Sequence, residues 1–173
     1  MAPEQRGGES GVLLGVDVGE ARVGLAASDA AGLLAHPVAT LRRDQEGETD
    51  LDEVVREVEA RGAVGVVVGL PRSLDGQERL AAERARRYAE SLQRRLDVPV
   101  RLWDERLTTV DAHRALRSSG VRGRQQRGVV DQAAAVLILQ AALDARRSGR
   151  ATGTPLRARK PRTRRSGPTI GHG

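Results

Sequence analysis

The chain has 173 residues, 39% of them hydrophobic, which is enough for one domain with a substantial core and short for two. It has no cysteine and only two aromatic residues, Tyr88 and Trp103, which excludes disulfides and thiolate metal sites and disfavours base stacking on an aromatic sheet face. The net charge of +6 is uneven: residues 145–173 hold nine of the 29 basic residues and no acidic one, leaving residues 1–144 at −3.

Residues 1–11 are polar, lack the basic-then-apolar order of a signal peptide, and read as a flexible N-terminus. No apolar run approaches the roughly 20 residues that cross a bilayer. The expectation is a cytoplasmic protein with no membrane partner.

The run from Val12 to Gly19 reads as a buried strand. Alternation puts Val12, Leu14, Val16 and Val18 on one face and Leu13, Gly15, Asp17 and Gly19 on the other. A carboxylate flanked by two glycines has no side chain to cover it, and a buried unpaired charge is costly. Asp17 is therefore expected to face open space that admits a cation or substrate. The alternative is a carboxylate satisfied by an arginine or by backbone N–H groups.

After a short turn, Arg22 to Ser28 alternates as a second strand and closes a hairpin. Pro37 to Leu41 gives a short third strand. Thr49 and Asp52 have capping-box spacing before a helix that Gly62 stops. Ala63 to Val68 is apolar throughout, as for a strand covered on both faces. The loop Gly69 to Gly76 offers a close backbone approach and Arg72 as a phosphate ligand; a plain turn is the alternative. A long helix follows, with Ala81, Ala85, Tyr88, Leu92 and Leu96 at helical spacing. Val98 to Leu102 forms the next strand.

Thr108 and Asp111 open a further helix that Gly120 closes. Residues 121–128 read as a basic, glycine-containing loop. Asp131 then opens an alanine-rich helix reaching about Arg147. Residues 148–173 are expected to be a disordered basic tail, leaving one domain at 12–147. These elements predict an α/β fold with a mixed five-stranded sheet, antiparallel in its first half and parallel in its second, flanked by helices.

Three acids fall where chemistry can use them. Asp17 lies within the first strand, and Glu105 lies just past the carboxyl end of a parallel strand, where open α/β sheets bind ligands. Asp131 stands at the start of the last helix. Asp131 as a helix N-cap and Glu105 as an ion-pair partner of Arg106 or Arg101 are the alternatives, and Asp104 can substitute for Glu105 because strand phase is uncertain by one residue. His36, His113 and His172 are scattered, so a Ser-His-Asp triad or a histidine-rich zinc site fits poorly. Converging carboxylates without histidine suit Mg²⁺ or Mn²⁺ and phosphoryl displacement.

Gly15-Val16-Asp17-Val18-Gly19, Arg22-Val23-Gly24-Leu25-Ala26, Ser28-Asp29, Gly69-Leu70-Pro71 with Asp75-Gly76, Asp104 to Thr109 and Val130 to Ala135 together resemble the YqgF family. Its members are Holliday-junction-resolvase-like proteins, also described as pre-16S rRNA nucleases. The resemblance covers about residues 12–147. It implies an RNase H-like fold and metal-dependent phosphodiester hydrolysis, in the processing of the 5′ end of pre-16S rRNA during ribosome biogenesis. It also implies Asp17, Glu105 and Asp131 as catalytic and metal-binding residues.

Arg72, Arg124 and Arg127 are expected to contact substrate phosphates, and the expected partners are pre-rRNA or structured DNA, with ribosomal particles as a further partner. Glu20 stands where many members have Ser or Thr, which weakens local phosphate contact, and the basic tail lies outside the family core. A non-catalytic RNA-binding assembly factor is the competing reading from another class. Actin-like nucleotide binding fits poorly, because the chain is too short for a second lobe.

Overall fold

A computed structural model describes residues 10–71, 76–107 and 124–156; the side chains of 76–78 and 124–127 are outside the description. Strands β1 (Leu13–Val18), β2 (Arg22–Ser28) and β3 (Ala35–Arg42) form an antiparallel meander. Helix α1 (Thr49–Arg61) leads to β4 (Gly65–Leu70), which pairs in parallel with β1. Helix α2 (Gly76–Arg95) leads to β5 (Val100–Asp104), parallel to β4, and a 3-10 turn follows over Glu105–Leu107. Helix α3 is Arg124–Arg147, and β6 is Thr154–Pro155.

The sheet order is β3-β2-β1-β4-β5-β6, so six strands stand where five were expected. The extra strand is two residues long and antiparallel to β5, with Leu102 opposite Thr154 and Arg101 opposite Pro155. Residues this few carry no hydrophobic period, so their pairing is set by the open edge of β5. The chain is thus still in regular structure past residue 148, where the tail was expected to begin.

The two faces of the sheet bury separate cores. Leu14, Val16, Val66, Val68, Val100 and Leu102 pack with Leu51 and Val54 of α1 and Tyr88 and Leu92 of α2. Leu13, Ala26, Val67 and Trp103 pack with Ala135, Ile138, Leu139 and Leu143 of α3. Alternation along β1, β4 and β5 thus assigns each residue to a layer, as the sequence pattern required. The Gly128–Arg147 part of α3 is long and apolar enough by composition to cross a membrane, against the expectation of no such run. Its apolar side chains are explained by the sheet face they cover.

Two helix starts differ from their expected form. The residue before α1 is Glu48, at φ 55, with no side-chain cap, and Thr49 instead donates its hydroxyl to Asp44 Oδ2 at 2.8 Å. Asp44 also accepts the Gly47 N–H at 2.9 Å, and these bonds hold its carboxyl below the usual carboxylate range. Helix α3 begins at Arg124, inside the stretch expected to be a loop. At the other end of α1, Gly62 at φ 58 closes the helix as expected.

Candidate active site

Asp17 is 5% exposed and shares the α3 face of β1 with Leu13 and Gly15. A β-carbon on Gly15 would lie 2.7 Å from Leu139 Cβ and 2.9 Å from the Ala135 carbonyl. The expected open space along β1 is therefore filled, because α3 rests directly on that glycine. At the other end, Gly19 abuts the Arg22 carbonyl and donates its N–H to it at 2.8 Å.

The room beside Asp17 is made instead by glycines on the neighbouring strands. Asp17 pairs with Gly24 of β2, and a β-carbon on Gly24 would overlap the backbone carbonyl of Asp131. On the other side, the register of Val16 with Val68, continued by one residue, sets Asp17 beside Gly69. A β-carbon on Gly69 would lie 2.9 Å from Glu105 Oε1. Neighbouring strands are about 4.8 Å apart. The backbone of Asp131 and the carboxylate of Glu105 thus sit one strand to either side of Asp17, on the same face.

The phase at the end of β5 decides between two acids. Trp103 belongs to the α3-side core, so Asp104 turns to the other face and Glu105 returns to that of Asp17. Asp104 accepts the Arg106 N–H at 3.0 Å and pairs with its guanidinium at 2.8 Å. The ion pair with Arg106 that was the alternative for Glu105 is therefore made by Asp104. The side-chain bond to Asp104, and then its charge, raise the Arg106 guanidinium above its ordinary value.

Asp131 lies well inside α3, not at its start, so N-capping is not its role. Its Oδ2 accepts Arg22 Nε at 2.8 Å, with the two side chains 24% and 32% exposed. One turn of the helix is latched to β3: Thr40 donates its hydroxyl to the Gly128 carbonyl at 2.7 Å, and Gln132 Nε2 donates to Thr40 Oγ1 at 3.1 Å. Thr40 pairs with Gly24 in the sheet, so the latch lies beside the contact between Gly24 and Asp131.

Three carboxylates and no histidine make a hard-oxygen donor set of the kind Mg²⁺ and Mn²⁺ prefer. Among the described residues, no three His, Cys, Asp or Glu side chains are close enough together to form a ready metal cage. The seats on Gly24 and Gly69 place the Asp131 backbone and the Glu105 carboxylate on either side of Asp17, and a cation, the Arg22 guanidinium, lies on the Asp131 carboxylate. By donor chemistry the three carboxylates suit a divalent ion, while in this structure the Asp131 carboxylate is engaged by Arg22.

Of the expected phosphate ligands, Arg72 lies outside the described residues, and Arg124 and Arg127 stand in the first turn of α3 with their side chains outside the description. Sequence reasoning missed Arg22. The available signal was its position at the head of β2, two residues before Gly24 and therefore on the same face.

A mixed sheet, antiparallel over β1 to β3, parallel through β4 and β5 and covered by helices on both faces, is an RNase H-like fold. The fold agrees: the chain is similar to Thermus thermophilus RuvC in complex with a Holliday junction substrate, with TM-score 0.56 and 15% identity over 84% of this chain and 99% of that one. Residues 11–145 match the family model described as "RuvX: Holliday junction resolvase", and the chain belongs to this family, the YqgF family of the sequence resemblance. A Kineococcus radiotolerans relative is 56% identical over 164 residues, 92% of this chain and 87% of the relative. A Frankia casuarinae relative is 57% identical over 143 residues, 82% and 71% of the respective chains. Both bear the name "Putative pre-16S rRNA nuclease".

Proposed function

We propose that this protein is a divalent-metal-dependent nuclease that hydrolyses a phosphodiester bond in structured RNA. Its proposed substrate is the 5′ end of pre-16S rRNA, met in the cytoplasm on maturing ribosomal particles. The observation that carries the reading is the pair of glycine seats that put the Asp131 backbone and Glu105 on either side of Asp17. The relatives' shared name supports the substrate.

In this reading Asp17, rigid in the middle of the sheet, and Asp131, on α3, hold the ion from two different elements. Glu105 completes the ligand set and orients the attacking water. Bound there, Mg²⁺ or Mn²⁺ would supply an activated water and stabilise charge on the attacking and leaving oxygens. Arg72, Arg124 and Arg127 are the proposed phosphate contacts, with the basic tail gripping RNA backbone outside the cleavage site.

The test is cleavage of a pre-16S rRNA fragment by the purified full chain, in Mn²⁺ and in EDTA. Asp17→Asn is expected to lose about 10³-fold in rate, the scale of a lost metal ligand, with little change in melting temperature. Metal-dependent cleavage retained by that variant removes Asp17 from the mechanism. A second reading, resolution of DNA junctions at the same acids, is favoured by the family description. A four-way DNA junction assayed in parallel decides between them, because the faster substrate identifies the nucleic acid.

A further inference from the structure

We propose that Arg22 and a divalent ion compete for Asp131, and that the guanidinium released by that competition takes a phosphate oxygen of the substrate. The proposal rests on the nuclease reading above and adds to it a residue that couples ion binding to substrate binding.

Arg22 Nε donates to Asp131 Oδ2 at 2.8 Å, so this oxygen cannot give its full lone-pair density to a metal while the bond lasts. The pair is held loosely enough to exchange. Both side chains are about a quarter to a third exposed, so water screens the pair and the guanidinium has a path out of it. In the nuclease reading, a divalent ion that also draws on Asp17 and Glu105 would displace it.

The released side chain stays at the site. The Arg22 carbonyl accepts the Gly19 N–H at 2.8 Å, which fixes the backbone from which the side chain pivots. Arg22 also lies beyond Gly24 on the α3 face, at the carboxyl end of β1, the end to which the nuclease reading brings the scissile phosphate. A guanidinium presents a planar fork of donors matched to phosphate oxygens, which an ammonium does not. Its charge also offsets the exposed Glu20 in the same turn, which by itself repels phosphate.

The experiment has two arms, neither of which reads turnover. In the first, Mn²⁺ is titrated calorimetrically into the full-length protein and its Arg22→Gln variant. Loss of the competing guanidinium is expected to tighten Mn²⁺ binding by about fivefold. The same substitution in an Asp131→Asn background is expected to change it by less than about twofold, which separates competition for Asp131 from the general removal of a positive charge. In the second arm, binding of a labelled pre-16S rRNA fragment is followed by anisotropy in Ca²⁺ and in EDTA. Arg22→Gln is expected to weaken binding in Ca²⁺ by several-fold and leave it unchanged in EDTA, with Arg22→Lys recovering only part of the loss.

Equal Mn²⁺ affinity in the parent and Arg22→Gln overturns the competition while leaving the metal site standing. An equal loss of RNA affinity with and without Ca²⁺ overturns the exchange and makes Arg22 an ordinary surface contact. Failure of both proteins to bind Mn²⁺ sinks this proposal together with the metal-dependent nuclease. Melting curves of Arg22→Gln and Arg22→Lys check that neither variant acts by unfolding.

Discussion

Gly24→Ala tests the geometry on which the site depends. The added methyl would overlap the Asp131 carbonyl oxygen and carbon and crowd the Gln132 nitrogen at 3.2 Å. These are backbone atoms of a helix, so no side-chain rotation relieves the overlap. Helix α3 must withdraw by about 1 Å to restore van der Waals separation. It cannot do so freely, because Thr40 holds the Gly128 carbonyl and Gln132 side chain while Leu139 and Ile138 pack on the sheet below.

Overpacking of this kind costs about 1–3 kcal/mol, and about 2 kcal/mol lowers the melting temperature of a domain this size by roughly 6 °C. The catalytic effect should be larger, since a misplacement of about 1 Å at a reacting group costs about 100-fold. Scanning calorimetry and pre-rRNA cleavage in Mn²⁺ measure the two effects, and Gly128→Ala is the control. A β-carbon at Gly128 meets only the Thr40 side chain at ordinary distance, and alanine favours a helix. If Gly24→Ala matches the parent in both melting temperature and rate, α3 is not seated on β2 and Gly24 does not position Asp131.

Thr40→Val removes both bonds of the latch between β3 and α3, at a cost of about 1–2 kcal/mol, and should lower the cleavage rate more than that stability loss explains. A rate unchanged at temperatures where the variant is folded would show that Asp131 is positioned without Thr40. Tyr88 is 3% exposed, and burial first, then the nearby Asp50 charge, push its hydroxyl well above its ordinary value. A raised folded pKa makes the contribution fully present below the unfolded value of about 10 and lost as pH rises above it, so stability should fall in strong alkali. Tyr88 is the only tyrosine. Tyrosinate absorbance should therefore appear together with the loss of circular dichroism, and its appearance in the still-folded protein would contradict the burial. For the tail, Leu156 donates its N–H to the Val100 carbonyl at 3.3 Å, at the amino end of β5 and away from the acids. Removing residues 157–173 should leave the melting temperature unchanged and make the salt dependence of RNA binding shallower, whereas an unaltered salt slope would mean the tail does not touch the backbone.

Alternation made the strands and their faces legible, because β1, β4 and β5 are buried on both sides and a shift of one residue would exchange the two cores. It also made Asp17 legible as an anomaly. Local signals failed where distant contacts decide the structure. Arg124 to Gly128 reads as a loop by composition, yet this segment is helical and docked on Thr40, a residue 88 positions earlier in the chain. The partner of Arg22 is 109 positions away, and nothing local to either residue announces the other. Thr49 has the composition of a cap, but Asp44 reaches its hydroxyl first, and the left-handed Glu48 changes the entry to α1. Glu105 could not be chosen over Asp104 by spacing alone, because β5 is only five residues long.

The glycines show how a correct sequence signal can carry the wrong physical meaning. Glycine weakens a strand through backbone entropy and the loss of a packing side chain, so two of them flanking a buried carboxylate suggest space left for a ligand. In the fold, Gly15 admits a helix, and the glycines that serve the site, Gly24 and Gly69, lie across the sheet from Asp17. One brings the helix backbone at Asp131 down onto the strand beside Asp17; the other clears room for Glu105. Strand stability is given up at two positions so that three acid-bearing elements meet on one face of the sheet. At Asp131 the Arg22 guanidinium already supplies a counter-charge. The proposed nuclease reading places a divalent ion among the acids that these glycine seats bring to one face of the sheet.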